Sequence, residues 1–185
     1  MAKKLITLFD LPIAAPSANL SERTSVTNIM DIDPILVKKI FVLKDKQSSH
    51  GLESTVVRID TNNEIEVLRY GSITVEELNK YAKVKIKKKS SISPGNLKKH
   101  YSTLKPIRMN AKRILKNEGL LNFGNNTLRS KIINLNLSNK KNLNEAAKNF
   151  YHYLHKLDQS RCKKIAVVEI PDKGLGKTIN DRLRR

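Results

Sequence analysis

The stretch Lys164-Ile-Ala-Val-Val-Glu-Ile170 decides the fold class of the second half of this chain. Its nearly continuous run of apolar residues is typical of a strand buried on both faces of a parallel sheet. Before it, apolar residues recur at helical spacing from Leu143 to Leu157, behind a helix start at Asn142. The pattern predicts a small α/β unit. Its other predicted elements are strands at 118–123 and 131–137 and a helix that follows 171–176 and ends at Arg185.

The front half alternates short strand-like and helix-like segments up to about residue 92. Thr74 is placed to cap a short helix, and Glu77 three residues later completes a capping box. Residues 90–106 carry Ser, Pro, Gly and Lys without apolar periodicity, which predicts a linker. The predicted strands are 12–15, 40–43, 54–59 and 64–69, the last two joined by the turn-forming residues 60–63.

The chain is strongly basic. Of its 185 residues, 36 are Lys or Arg and 17 are Asp or Glu, which gives a net charge of +19. Polyanions are the expected partners of such a field, but a genome rich in A and T is an equally open origin for the lysines. From Lys80 to Lys89, lysines alternate with Ala, Val and Ile, which predicts a solvated edge strand.

Three observations bear on the compartment. No apolar run reaches the roughly 20 residues that a bilayer span needs, so no membrane partner is expected. Residues 1–13 include an apolar patch that is interrupted by Asp10 and Pro12, which favours folded structure over a targeting signal. The single cysteine, Cys162, cannot form an internal disulfide, so we expect a reducing cytoplasm.

Two polar clusters are the candidate ligand-binding residues. Ser17, Asn19 and Ser25 lie among small residues, where the backbone can approach a nucleotide or an amino acid closely. The alternative is that hydroxyls in this stretch only cap a helix.

The second cluster combines hydroxyls with a guanidinium. Ser54 and Thr55 open one predicted strand and Arg69 ends the next, so together they could grip a phosphate. The alternative is a cross-strand pair between Arg69 and an acidic neighbour.

Two other motifs carry less weight. Gly176-Lys-Thr178 suggests a phosphate-binding loop, but Pro171 stands where that loop needs a glycine, and proline lacks the N–H that a phosphate would use. His152 and His155 lie three residues apart on one predicted helix, without the further ligands that zinc needs. We therefore expect neither a phosphate loop nor a metal site there, and the two histidines are expected to be solvated.

Several segments, taken in order, resemble the YrdC-like threonylcarbamoyl-AMP synthase family in its long, two-domain form. The front segments are Pro12-Ile-Ala-Ala-Pro-Ser-Ala-Asn-Leu-Ser21, Gly51-Leu-Glu-Ser-Thr-Val-Val57, Leu68-Arg69-Tyr70-Gly71, Ser93-Pro94-Gly95 and His100-Tyr101. The later segments are Glu145-Ala-Ala147, 154–158 and Gly174-Leu-Gly-Lys-Thr-Ile-Asn-Asp-Arg-Leu183.

The resemblance implies a reaction and a set of site residues. L-threonine, bicarbonate and ATP, the last expected with Mg²⁺, would give threonylcarbamoyl-AMP and pyrophosphate for tRNA modification. No protein nucleophile is needed, because threonine carbamate attacks the α-phosphate. The implied nucleotide-binding residues are Ser17, Ser25, Arg69 and the lid residue Tyr101, the threonine-binding residues are Ala15 and Thr55, and the supporting residues are Asn19 and Ser54.

The resemblance also implies the α/β fold class. An α+β YrdC-like partial domain with a twisted mixed sheet is expected at 1–92, a linker and lid at 93–106, and a small Rossmann-like α/β accessory domain at 107–185. The family's front half, which holds the triphosphate, is expected to be absent, so the chain is expected to be a truncated or split form that is inactive alone. It is either the product of a split or decaying gene or one half of a two-chain enzyme whose partner is a separately encoded N-terminal half. The alternative is a non-catalytic basic or accessory module that binds tRNA or double-stranded RNA.

Overall fold

The computed structural model describes residues 1–15, 17–20, 22–43, 48, 51–85 and 102–185. Helices and two sheets alternate along them, which confirms the expected α/β class. The helices are α1 (Ala2–Phe9), α2 (Pro34–Val37), α3 (Val75–Leu78), α4 (Leu143–Gln159) and α5 (Leu175–Leu183), with a 3₁₀ turn at Ile29–Asp31. The strands are β1 (Val56–Ile59), β2 (Ile65–Arg69), β3 (Val84–Lys85), β4 (Ile107–Arg108), β5 (Glu118–Asn122), β6 (Asn134–Asn136) and β7 (Lys164–Val167).

The first sheet has the strand order β1-β2-β3. β1 and β2 form an antiparallel hairpin, and β3 joins β2 in parallel. The predicted turn is present, because the Asp60 carboxylate accepts the backbone N–H groups of Asn62 and Glu64, each at 2.9 Å. β3 is an edge strand, as the alternating lysines predict for the described part of that run.

The second sheet has the order β4-β7-β5-β6, and all its neighbouring strands are parallel. β7 lies inside the sheet, and its residues from Ile165 to Val167 are fully buried, as their apolar run predicts. The Asn142 side chain accepts the N–H groups of Asn144 and Glu145 and so starts α4 at the predicted residue.

One hydrophobic core fills the second half of the chain. α4 contributes one face of the core, and β5, β7 and α5 supply the facing side chains. Leu52 joins this core from the front half, and Gly51 beside it lies so close to α4 that an added Cβ would come within 1.9 Å of the Ala147 carbonyl oxygen. The front half is therefore packed directly against α4.

The structure corrects the sequence prediction in the first 43 residues. The stretches predicted as strands at 12–15 and 40–43 are not strands, and α1 and α2 were not predicted. A strand needs a neighbour for its backbone groups, and neither stretch has one within the described residues. Locally, Asp33 accepts the N–H of Ile35, and Pro34 occupies the first turn of α2, a position that favours a helix.

The surface of this front part is unusually apolar. None of the α1 residues is buried, and its apolar side chains, such as Leu8 and Phe9, face solvent. Phe41 is 89% exposed. Within the described residues, no helix has both the length and the hydropathy that crossing a bilayer would require.

Candidate functional site

The ends of β1 and β2 bring Arg69 and Ser54 together. Val56 in β1 is the register partner of Arg69 in β2, so the residue two positions before Val56 lies beside the arginine. The Arg69 guanidinium donates to the Ser54 carbonyl oxygen at 3.2 Å and 3.0 Å and to Ser54 Oγ at 3.1 Å. A cation and a hydroxyl thus share one partly exposed strand end, which is the chemistry that a phosphate needs.

Thr55 is bound to the loop that follows β2. Its hydroxyl donates to the Ile73 carbonyl oxygen at 2.6 Å and accepts the Ile73 N–H at 3.0 Å. Ser72 donates its N–H to the Glu53 carbonyl oxygen at 2.8 Å. Residues 53–55 and 70–73 therefore lie side by side, and the hydroxyl of Thr55 fixes their spacing.

Ser25 lies beneath this strand end. Its side chain is buried, and its hydroxyl donates to the Glu53 carboxylate at 2.6 Å. Its implied contact with a nucleotide stays a prediction, since in this structure the hydroxyl points to a protein partner.

The other predicted residues lie on the chain before Ser25. Ala15 and Ser17 are exposed. The Asn19 amide donates to the carbonyl oxygens of Leu20 and Arg23 at 3.0 Å and 3.1 Å, so it shapes the turn that leads to Ser25. Tyr101 lies outside the described residues, as does most of the predicted linker.

A buried ion pair joins this strand end to α5. Arg182 Nε lies 3.2 Å from a Glu53 carboxylate oxygen, and the Arg182 side chain is fully buried. Burial alone would raise the pKa of Glu53, but Arg182, together with the hydroxyls of Ser25 and Tyr151, outweighs it and lowers the pKa below its usual value. Glu53 is therefore held as a carboxylate.

α5 also binds the loop after β2 through its backbone. Arg182 Nη2 donates to the Tyr70 carbonyl oxygen at 2.7 Å, and Thr178 Oγ1 donates to the Gly71 carbonyl oxygen at 2.9 Å. The Lys177 ammonium lies 5.7 Å from the centre of the Tyr70 ring, within cation–π range.

This arrangement accounts for Gly176-Lys-Thr178. The Thr178 hydroxyl is occupied by a backbone carbonyl and the threonine is buried. In this structure the motif therefore makes a contact inside the protein.

The prediction of solvated histidines was wrong. His152 Nδ1 lies 2.9 Å from the buried Asp31 carboxylate, and only 15% of the histidine side chain is exposed. His155 Nε2 contacts Thr24 Oγ1 at 3.1 Å and the Ser25 carbonyl oxygen at 3.2 Å. The spacing on α4 correctly put both rings on one face, but that face is covered by the front part of the chain.

The sequence analysis also did not predict that Glu53, Tyr151 and Arg182 contact one another. Glu53 and Arg182 each stand in a segment that carries the family resemblance, but they are 129 residues apart. Local patterns cannot pair residues at such a separation. Elsewhere in the described chain, no three His, Cys, Asp or Glu side chains come together as metal ligands.

Two family models match the chain. The model described as "Threonylcarbamoyl-AMP synthase, C-terminal domain" matches residues 73–185, and the one described as "Telomere recombination" matches residues 1–71.

Named relatives agree with these matches. The threonylcarbamoyl-AMP synthase of Schizosaccharomyces pombe is 35% identical over 116 residues, which cover 55% of this chain and 28% of that protein. The threonylcarbamoyl-AMP synthase of Pyrococcus abyssi is 25% identical over 213 residues and covers the whole of this chain, which spans 60% of the relative.

The solved structures give the same outline of the fold. A crystal structure of P. abyssi Sua5 complexed with L-threonine superposes with a TM-score of 0.81 at 24% identity, over 99% of this chain and 60% of that one. A variant of the same protein gives a TM-score of 0.75. The fold is thus shared, and this chain spans less than two thirds of each relative.

Proposed function

Because this chain belongs to the threonylcarbamoyl-AMP synthase family, we propose that it supplies part of the nucleotide site of such an enzyme. The reaction joins ATP, L-threonine and bicarbonate into threonylcarbamoyl-AMP and pyrophosphate for tRNA modification. The observation that carries the proposal is the strand end at which the Arg69 guanidinium and the Ser54 hydroxyl lie together.

The chemistry fits residues of this kind. The attacking group is the carbamate of threonine, so the protein has to place two anions, neutralise them and exclude water. Arg69 would neutralise the phosphate of the AMP portion, and Ser54 would orient it. Thr55 would line the threonine side, and Tyr101, which lies outside the described residues, is a nucleotide-binding residue only by the family resemblance.

A complementary part is the second element of the proposal. This chain spans 60% of the P. abyssi relative, and the apolar side chains of α1 lie in water. Large exposed apolar surfaces mark places where another protein surface packs. We propose that a polypeptide equivalent to the remaining part of the relative covers α1 and completes the triphosphate site.

A direct assay tests the proposal. The chain is mixed with the part of the P. abyssi relative that it does not span, and threonine-dependent pyrophosphate release is measured together with AMP binding. We expect release only from the mixture. In Arg69→Ala, AMP affinity should fall about tenfold or more, because a charge-assisted hydrogen bond to phosphate is lost.

A matched control separates charge from position. Arg129 also donates to backbone carbonyl oxygens, those of Asn126 and Leu128, but lies in the second half of the chain. Arg129→Ala should leave AMP affinity unchanged. Equal losses in both variants, or a chain that binds no AMP with or without the complementary part, would contradict the proposed site.

RNA contact is a second candidate function, and one feature of the second sheet favours it. The Lys163 N–H donates to the Asn117 carbonyl oxygen at 2.8 Å, which brings two basic stretches side by side at the amino end of the sheet. We call this surface the basic edge. Its exposed members are Lys116, Arg161, Lys163 and Lys164.

A further inference from the structure

The loop that follows Arg69 is held by α5, an element of the second half of the chain. Thr178 and Arg182 donate to consecutive carbonyl oxygens of this loop, those of Gly71 and Tyr70. The two donors are four residues apart, so they lie on one face of the helix. One face of α5 therefore fixes the backbone immediately after the candidate phosphate-binding arginine.

The opposite side of the loop leaves no space for it to shift toward Ser54. A Cβ added to Gly71 would come within 2.3 Å of the Ser54 carbonyl carbon and of the Thr55 nitrogen. The loop is thus enclosed between α5 and the strand end on which Ser54 lies. The loop therefore contacts α5 on one side and the backbone of Ser54 and Thr55 on the other.

Arg182 connects both chain segments with one guanidinium. It binds the Tyr70 carbonyl oxygen through Nη2 and the Glu53 carboxylate through Nε. Glu53 directly precedes Ser54, and Tyr70 directly follows Arg69. The buried Arg182 guanidinium therefore contacts the residue that precedes Ser54 and the residue that follows Arg69.

Stability alone does not account for such a group. A buried ion pair costs desolvation energy that its attraction often only offsets, and apolar replacements can be as stable. In some proteins such groups are retained because they specify one geometry. Arg182 contacts the residue before Ser54 and the residue after Arg69, so the geometry that it can fix is the position of Arg69 relative to Ser54.

We propose that Thr178 and Arg182 are positioning residues, through which the C-terminal half sets the geometry of Arg69 and Ser54 for phosphate binding. This inference rests on the proposed function for its ligand. It gives the C-terminal half a direct role in shaping the site, beyond forming a folded unit of its own.

The test uses the whole chain, and two variants remove the contacts with little change in shape. Thr178→Val removes the hydroxyl donor, and Arg182→Lys keeps the charge but loses the planar fork. Arg184→Lys is the control, because Arg184 is exposed and lies at the end of the same helix.

Two readouts are followed, one of them independent of any ligand. The first is hydrogen exchange, measured at Arg69 Nε–H, which donates to Ser54, and at the backbone amides of 70–72. The Arg69 Nε–H resonance is assigned by its loss in Arg69→Lys. The second is AMP affinity. Exchange in β5 reports whether the core itself has changed.

In Thr178→Val and Arg182→Lys, we expect exchange at Arg69 and 70–72 to rise about tenfold and AMP affinity to fall by a similar factor. β5 and the Arg184→Lys control should not change. If both variants show the same exchange rates and AMP affinity as Arg184→Lys, the proposal is overturned. Faster exchange in β5 in both variants would also overturn it, since the residues would then hold the core.

The failure of the proposed function gives a different result. If the unaltered chain binds no AMP, with or without its complementary part, the proposed function is wrong. Exchange at Arg69 then decides the inference alone: a local rise supports the positioning role, and no rise refutes it.

Discussion

The two halves of the molecule differ in how they bury apolar side chains. In the second half, α4, α5 and a parallel sheet enclose a core in which Phe150 and Leu120 are fully buried. In the first 43 residues the apolar side chains lie mostly at the surface, and Phe41 is 89% exposed. Apolar content alone therefore does not make a core, because facing elements are also needed to cover the apolar side chains.

Between these extremes, residues 51–72 are stabilised by the second half. Leu52 packs in its core, Glu53 pairs with Arg182, and the loop after Arg69 is bound by α5. The candidate site therefore lies between the buried core of the second half and the exposed apolar side chains of the first 43 residues.

Truncation of a buried side chain in the core of the second half should have a large effect on stability. Phe150→Ala should lower the free energy of unfolding by about 3–5 kcal/mol, because it leaves a cavity in a packed interior. Phe41→Ala, the matched change on the exposed surface, should alter it by less than about 0.5 kcal/mol. Urea unfolding measures both. A large loss in Phe41→Ala would mean that the front surface is packed in solution.

A charge placed on the apolar surface of α1 tests whether that surface binds the complementary part. Phe9→Glu should weaken association with the complementary part about tenfold to a hundredfold, because a buried, unpaired carboxylate is costly. Lys4→Glu, on the same helix, changes charge without removing an apolar contact. Titration calorimetry with the complementary part measures both. Equal effects would show that charge, and not the apolar face, governs association.

Acid should weaken the link between the halves. The pKa of Glu53 lies below its unfolded value of about 4.3, so its carboxylate stabilises the fold above that pH and the gain is lost as pH falls through the folded value. Glu53→Gln should therefore lose less stability than the unaltered chain between about pH 5 and pH 3. Glu169→Gln, at an exposed carboxylate, is the control. Parallel pH profiles for Glu53→Gln and the unaltered chain would disprove the assignment.

The smallest expected effect concerns the basic edge of the second half. RNA binding should be weak, independent of sequence and steeply salt-dependent, because counterion release dominates such contacts. Lys163→Ala should lower the slope of log affinity against log salt by about one, and Lys4→Ala on α1 should not. Filter binding at several salt concentrations measures the slopes. An unchanged slope would place RNA contact elsewhere.

Much of the fold could be predicted because it depends on near neighbours in the chain. The capping box of α3 is present, with the Thr74 hydroxyl accepting the Glu77 N–H at 3.2 Å and the Glu77 carboxylate accepting the Thr74 N–H at 2.7 Å. The start of α4 and the hairpin between β1 and β2 were predicted for the same reason. The strands predicted in the first 43 residues failed because a strand also depends on a neighbour that no local pattern reveals.

For the candidate site, local sequence patterns were enough to predict which groups are available and the short-range turns and helix starts that carry them. It indicated Ser54 and Arg69 as a possible pair, because two strands joined by a tight turn must bring their ends together. Packing of the folded chain, which no local pattern reveals, places Arg182 against Glu53, turns Ser25 toward the same carboxylate and covers both histidines. These contacts join residues more than 25 positions apart, and their partners are chosen by how the core packs α4 and α5 against the front half of the chain.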